Sequence, residues 1–310
     1  MRIVFMGTPE FATTPLELLM VNRAGVIAVY TQPDKAAGRG RLLESPPVKN
    51  IALKWNLPVF QPADFKSAED RDRLLALKPD VIIVAAFGQI LPGAILDLPR
   101  YGCLNIHPSL LPKYRGVAPV PAAILNGDEF AGVSIMMLDK GVDTGPVLVR
   151  AHARITEWDT TVTLTEKLSR IGAQLLLEIL PRWIDRKIVP QAQDDAQTTY
   201  TYAIDKGVGE IDWHLTAIEL WRQVRAYQPW PGSFTHWQGK QLKIIEAVLL
   251  EGHSDTPGRV VPLSGEIAFS IETGSGRLGV VCVQMEGKRK MTGGEFLHGQ
   301  RQISGAVLPS

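Results

Sequence analysis

The run Val81-Ile82-Ile83-Val84-Ala85-Ala86 is apolar at every position. Successive side chains of a strand point to opposite faces, so a strand of this composition has to be covered on both. Such a run belongs in the middle of a parallel sheet with helices on either side. The surrounding sequence agrees. Residues 3–6, 26–31, 59–60, 104–107 and 133–138 read as further strands, with helical patterns such as residues 68–77 between them. Gly7-Thr8-Pro9-Glu10 reads as a turn into a helix, with Thr8 at the N-cap and Pro9 at the first helical position. Leu164, Leu168, Ile171, Leu175, Leu176 and Ile179 recur at helical spacing, and Pro181 is expected to end or kink that helix. Residues 1–189 are therefore expected to form an α/β domain around a doubly wound, mostly parallel, Rossmann-like sheet.

The pattern changes near Val189. Residues 190–207 begin Pro190-Gln191-Ala192-Gln193-Asp194-Asp195, polar and without periodicity, and read as a linker. Residues 208–310 open with one amphipathic helix, 215–226, whose Ile218, Trp221 and Val224 are expected to face inward. Short strand signals then recur about every 8–12 residues between glycine-rich turns, which suggests a small antiparallel, OB-like β-barrel. Trp183, Trp213 and Trp230 read as core residues rather than stacking platforms for bases.

Size and composition narrow the class. A chain of 310 residues can hold two domains, each with a core of its own, and a composition 45% hydrophobic and 21% charged is neither disordered nor fibrous. No run approaches the about 20 apolar residues of a membrane span, so no membrane association is expected. The segment from Met1 to Gly7 reads as a first strand rather than a signal peptide, which fits a cytoplasmic protein. Cys103 and Cys282 are too few and too far apart for a disulfide framework, and the six histidines lack ligand spacing, so no metal is expected. A net charge of +1 leaves nucleic-acid binding to local patches.

The residues with chemical potential stand where strands end. Leu104-Asn105-Ile106-His107 runs into Pro108-Ser109-Leu110-Leu111-Pro112-Lys113-Tyr114-Arg115-Gly116, where two early prolines stop a helix from starting at once. Asn105 and His107, two apart on a strand, share a face at the edge where open α/β sheets bind ligands. An amide donor beside an imidazole suits acyl transfer: one steadies an oxyanion, the other handles a proton. An Asn and a His tied to nearby backbone would look the same in sequence. A second loop, Leu138-Asp139-Lys140-Gly141-Val142-Asp143-Thr144-Gly145-Pro146, also follows a strand, and a carboxylate from it could orient His107. A solvated polar turn is the alternative. Other chemistries lack their motifs. The Gly7-Thr8-Pro9-Glu10-Phe11 turn has no G-x-G-x-x-G pattern, and neither a Walker motif nor a G-x-S-x-G elbow is present.

The segment from Asn105 to Gly116, with Asp143 standing 36 residues beyond His107, resembles the signature of the 10-formyltetrahydrofolate-dependent formyltransferases. Further likenesses, to the branch of that family acting on methionyl-tRNA, cover nearly the whole length. They include Phe5-Met6-Gly7-Thr8-Pro9-Glu10-Phe11, the stretch from Thr31 to Arg41, Ser45-Pro46-Pro47-Val48-Lys49, Ile211-Asp212-Trp213, Pro229-Trp230-Pro231 and Glu286-Gly287-Lys288-Arg289-Lys290-Met291. The resemblance implies that Asn105, His107 and Asp143 are catalytic and that the formyl donor is 10-formyltetrahydrofolate, with no metal. Asn105 would donate to the formyl oxygen. His107 would help there and pass a proton to the folate nitrogen, and Asp143 would pair with His107 and take a proton from the attacking amine, directly or through water. The folate site would be formed by Phe87, Gly88, Gln89, Ile90 and Leu91, by Ser109, Leu110, Leu111 and Pro112, and by the loop beginning at Asp139. The acceptor would be methionyl initiator tRNA, met by Lys35, Arg39 and Arg41 in a connection unusually long for a βα unit. Lys288, Arg289 and Lys290 form the one dense basic cluster of a C-terminal half in which acidic and basic residues otherwise balance. A monomer is implied as well.

Three readings follow. The chain formylates methionyl initiator tRNA; or the same catalytic half formylates a small amine, such as an amino-sugar nucleotide; or it senses folate or tRNA without turnover. The basic insertion and the C-terminal half argue against the second, and the complete Asn105, His107 and Asp143 set argues against the third.

Overall fold

A seven-stranded mixed sheet organises the first part of the chain. The computed structural model describes residues 1–37, 42–252 and 255–310. In chain order the strands are β1 (Ile3–Gly7), β2 (Val26–Tyr30), β3 (Lys35–Ala37), β4 (Leu42–Glu44), β5 (Val59–Phe60), β6 (Val81–Ala85), β7 (Cys103–His107), β8 (Arg115–Gly116), β9 (Phe130–Met137), β10 (Val147–Arg154) and β11 (Tyr200–Thr201). The spatial order β10-β9-β7-β6-β1-β2-β5 places β6 between β1 and β7, both parallel to it. Every residue of β6 is buried, as its composition requires. The sheet is not parallel throughout: β9 runs antiparallel to both β7 and β10. The loop from β9 to β10 is too short for a helical crossover, so the two strands form an antiparallel pair.

The helices of this part are α1 (Thr13–Val21), α2 (Pro47–Lys54), α3 (Ala68–Ala76), α4 (Gly93–Leu96), α5 (Pro119–Leu125) and α6 (Thr161–Ile184). Two expectations are corrected. Thr8 does not cap a helix; its hydroxyl donates to the Phe87 carbonyl at 2.8 Å and ties the end of β1 to the turn after β6. Pro181 does not end α6, which continues to Ile184, with Asp185 N–H donating to the Pro181 carbonyl at 3.0 Å. Gly172 lets α6 lie close to the sheet: a Cβ there would stand 2.6 Å from Ile106 Cγ2 and 3.1 Å from Val133 Cγ1.

By contacts the chain divides into two units. The first comprises Met1–Pro119, Phe130–Arg154 and Leu164–Thr201, and the second Val120–Glu129, Ile155–Thr163 and Tyr202–Ser310. The polar stretch read as a linker is partly structured. Gln191 and Val147 exchange backbone hydrogen bonds at 2.8 Å, and β11 pairs in parallel with β8.

The second unit contains α7 (Ala217–Ala226), then β12 (Ser233–Trp237), β13 (Lys240–Leu250), β14 (Val260–Pro262), β15 (Phe269–Glu272), β16 (Arg277–Met285) and β17 (Met291–Thr292), then α8 (Gly293–Gly299). Its sheet is antiparallel, in the order β12-β13-β16-β15-β14, with β17 beside β16. Among the described residues β12 and β14 do not pair, so the sheet itself is open. The C-terminal tail bonds to both ends of it. Val260 N–H donates to Ala306 O at 2.8 Å, and Ser310 N–H donates to His236 O at 3.1 Å.

Thr216 and Thr292 close capping boxes with Glu219 and Glu295 at the starts of α7 and α8. The buried face of α7 carries Leu220, Gln223 and Val224; Ile218, expected to face inward, is 43% exposed. Trp213 is a core residue, but Trp230 is 56% exposed, contrary to its reading as core.

Candidate active site

The site is built at the carboxyl ends of β1, β6 and β7, where the strand order of an open α/β sheet reverses. β7 carries Asn105 opposite Val84 of β6 and Met136 of β9, and His107 opposite Ser134. Both side chains are buried, at 8% and 4% exposure. Among the described residues the Asn105 amide finds no hydrogen-bond partner. The amide is not among the side-chain groups sealed from solvent, so its donor is both unengaged and reachable by a ligand.

His107 has a polar neighbour at each ring nitrogen. Its Nε2 lies 3.0 Å from the Tyr114 carbonyl, which can only accept, so Nε2 carries the hydrogen. Its Nδ1 faces Asp143 Oδ2 at 3.7 Å. The ring nitrogen left to face Asp143 is therefore Nδ1. Asp143 reaches this position from the β9–β10 loop, and its Oδ2 also accepts from Gly116 N–H at 2.8 Å. Its backbone has φ +53°, a left-handed conformation that Asp tolerates better than most residues.

Ser134 fixes the loop after His107. Its hydroxyl donates to Ser109 O at 2.7 Å and accepts from Leu111 N–H at 3.1 Å. The β9–β10 loop is closed by Asp139, whose Oδ1 accepts from Gly141 N–H at 3.0 Å and Thr144 Oγ1 at 2.6 Å. Asp139 thus shapes the loop that presents Asp143. Tyr114, Arg115 and Gln193 were not foreseen as contributors to the site. Arg115 and Tyr114 lay within the signature segment, but nothing in the sequence showed that Gln193 returns to it.

The first 180 residues match the family model described as formyl transferase, and residues 203–301 match its C-terminal domain. The chain belongs to the formyl transferase family. A protein of Dehalococcoides mccartyi named methionyl-tRNA formyltransferase is 49% identical over 99% of this chain and 98% of its own length. One of the same name from Methylococcus capsulatus is 43% identical over 96% of both. Among solved structures, a sugar 3N-formyl transferase crystallised in the presence of dTDP and 5-N-formyl-THF superposes with a TM-score of 0.66 at 22% identity, over 93% of this chain and 99% of that one. HypX from Aquifex aeolicus in complex with tetrahydrofolic acid superposes with a TM-score of 0.64 at 19% identity, over 97% of this chain and 47% of the other. These two likenesses speak for a formyl transferase fold.

The other residues singled out in sequence fall in different settings. Phe87 and Leu91 belong to the hydrophobic core packed on β1, β2 and β6, whereas Ile90 between them is 86% exposed. Gln89 donates to Pro62 O at 2.8 Å, and Gln32 donates to Gly88 O at 2.9 Å, so the segment is tied to the loops after β2 and β5. Leu111 is core, Ser109 is buried with its hydroxyl on Lys113 O, and Leu110 and Pro112 are half-buried. Lys35 is exposed on the β3–β4 hairpin, opposite Glu44. Arg39 and Arg41 lie outside the described residues. Lys288, Arg289 and Lys290 are exposed together, but Arg289 Nη2 already donates to Glu295 Oε1 at 2.7 Å. Among the described residues no group of three or more His, Cys, Asp or Glu side chains could hold a metal ion, and no helix is long and apolar enough to cross a membrane.

Proposed function

We propose that this formyl transferase moves the formyl group of 10-formyltetrahydrofolate to the α-amino group of methionyl initiator tRNA. The observation that carries the reading is the placement, on one strand end, of an unengaged Asn105 amide beside His107, whose Nδ1 faces Asp143. The relatives' shared name, at 43–49% identity over nearly full length, supports the same acceptor.

In the reaction the neutral amine attacks the formyl carbon. The carbonyl oxygen gains negative charge, the bond from that carbon to N10 of the folate breaks, the amine loses a proton and N10 gains one. Asn105 donates to the developing oxyanion, where a fixed donor is most effective in a site closed to water. With its Nε2 hydrogen committed to Tyr114, His107 acts through Nδ1. Asp143 holds the protonated form of that nitrogen and receives the amine's proton, directly or through water. The folate lies along the residues 87–91 and 109–112, where it would meet Ile90 and the backbone of Gly88 rather than the core side chains of Phe87 and Leu91.

For tRNA we assign Lys35, Arg39 and Arg41 of the insertion, and Lys288 and Lys290 of the second unit. Arg289 joins them if it exchanges Glu295 for a phosphate; a surface ion pair is worth only about 0–1 kcal/mol. The antiparallel sheet of the second unit, with the C-terminal tail bonded to both its edges, is read as an OB-like barrel. We read the enzyme as a cytoplasmic monomer that needs no metal.

The test is an incubation with 10-formyltetrahydrofolate and methionyl-tRNA, followed by hydrolysis of the ester and chromatography. Formyl-methionine is expected. Formylation of amino-sugar nucleotides with methionyl-tRNA left unmodified would replace this acceptor with a small amine. Folate binding without either product would leave a sensor.

A further inference from the structure

Asp143 has a left-handed backbone, φ +53°, and its neighbours hold it from both ends. Gly116 N–H holds its carboxylate, as described above. Its carbonyl is held by Gln193, whose Nε2 donates to Asp143 O at 2.8 Å and to Gly145 O at 2.7 Å. The Gln193 amide can face only one way. Its Oε1 accepts from Arg115 Nε at 3.0 Å and Arg115 Nη2 at 2.9 Å, and a guanidinium cannot accept.

Arg115 in turn is fixed. Its side chain is 3% exposed, Nη2 donates to Asp195 Oδ1 at 2.9 Å, and Nη1 donates to the Tyr200 hydroxyl at 3.4 Å. Its guanidinium also stands 6.0 Å from the centre of the Tyr200 ring. Burial would depress this guanidinium, but the bonds to Tyr200 and Asp195 outweigh it and hold Arg115 above the ordinary arginine value. The residue after Arg115 is Gly116. One short strand and one side-chain amide therefore grip both ends of Asp143, the backbone carbonyl and the carboxylate. A polar network satisfied at every member is rigid.

We propose that Gln193, oriented by Arg115, is a positioning residue for formyl transfer: it fixes the backbone from which Asp143 faces His107 Nδ1. The segment that supplies it, read in sequence as a linker, is thereby part of the active site's support. This rests on the reading above that Asp143 acts through His107. A misplacement of about 1 Å can lower a rate about 10²-fold. Gln193→Ala is therefore expected to lower kcat roughly 10–100-fold, with each substrate's KM within about twofold of the parent and a similar melting temperature. Gln193→Glu keeps an acceptor for Arg115 but offers nothing to the two carbonyls, and it should reproduce the loss.

The deciding measurement is a double-mutant cycle in the full chain with 10-formyltetrahydrofolate and methionyl-tRNA. If Gln193 acts through Asp143, Gln193→Ala costs little further once Asp143→Asn is present. Losses that multiply, or a parental kcat for Gln193→Ala, would overturn the proposal and leave the Arg115–Gln193 network as a staple for its own segment. Parental activity in Gln193→Glu would overturn it too, and it decides the matter if Asp143→Asn falls below detection. Parental activity in Asp143→Asn alone would remove the catalytic reading itself, an outcome separate from the other three.

Discussion

His107 shows how far a single residue can be read. The strand period placed it beside Asn105, and the family signature paired it with Asp143. Neither could say which ring nitrogen does the work, because that depends on the Tyr114 carbonyl, a backbone group with no sequence identity of its own. With Nε2 committed at 3.0 Å, the ring nitrogen that remains faces Asp143. Asn105 is the more testable member of the set. Among the described residues its amide has no protein partner to lose, so Asn105→Ala leaves no broken bond behind and acts on the bound substrate alone. Loss of one oxyanion donor typically lowers turnover ~10²–10³-fold. That loss is expected in kcat, with the dissociation constant for folate changed far less. Single-turnover formylation beside a folate titration measures both, and equal losses in the two would make Asn105 a binding residue only.

Among the elements, the legible ones were those whose pattern is set by burial alone. β6 follows from its apolar run, β7 from the short strand that ends in Asn105 and His107, and α3 and α7 from helical spacing. What escaped was set by partners distant in sequence. Ile218 was placed inward because it fits a helical period, but α7 buries the neighbouring stripe of Leu220 and Val224. Gln193 looked like linker because its three partners, Arg115, Asp143 and Gly145, lie 48 residues or more away. The loop from β9 to β10 combines both situations. Its carboxylates were visible, but the tightness of the turn was not. A Cβ on Gly145 would stand 1.9 Å from Met137 O, closer than any real contact, and the atom it meets is backbone. Gly145→Ala must therefore push apart the two ends of the loop that presents Asp143. The expected result is a kcat lowered at least about tenfold, on the scale of a misplaced catalytic group, with a smaller effect on folate affinity. Stopped turnover with an unchanged thermal melt would place the damage in the loop; parental turnover would show that the loop can shift without moving Asp143.

Stability and tRNA recognition belong to the whole molecule. Burial first, and then the charge of Asp97, push the Cys103 thiol up to about 12. Its unfolded value is about 8.5. A group whose pKa is raised by folding leaves stability intact below the unfolded value and removes it as the pH rises towards the folded one. Stability should thus fall between about pH 8.5 and 12, and Cys103→Ala, though less stable at pH 7, should lose less over that interval. Urea midpoints at pH 7 and pH 10 for both proteins measure the difference, and equal slopes would exclude Cys103 as a source.

Recognition of tRNA asks more of the chain than one site can give, since the net charge is only +1. Affinity must then come from a few local cations, and each phosphate contact contributes to the salt dependence of binding. The groups proposed for this are Lys35, Arg39 and Arg41, and Lys288 with Lys290. If both groups meet phosphates, removing either should flatten the slope of log K against log salt by about 0.7–0.9 per lost contact. Folate affinity should stay at the parental value, because the folate residues lie at other strand ends. The triple variant Lys35→Ala, Arg39→Ala, Arg41→Ala and the pair Lys288→Ala, Lys290→Ala should each raise the KM for methionyl-tRNA, and together they should flatten the slope by the sum of their separate effects. A parental slope in one of the two variants would remove that group from the tRNA surface, and a parental slope in both would mean that the tRNA is held by shape and by neutral hydrogen bonds rather than by charge.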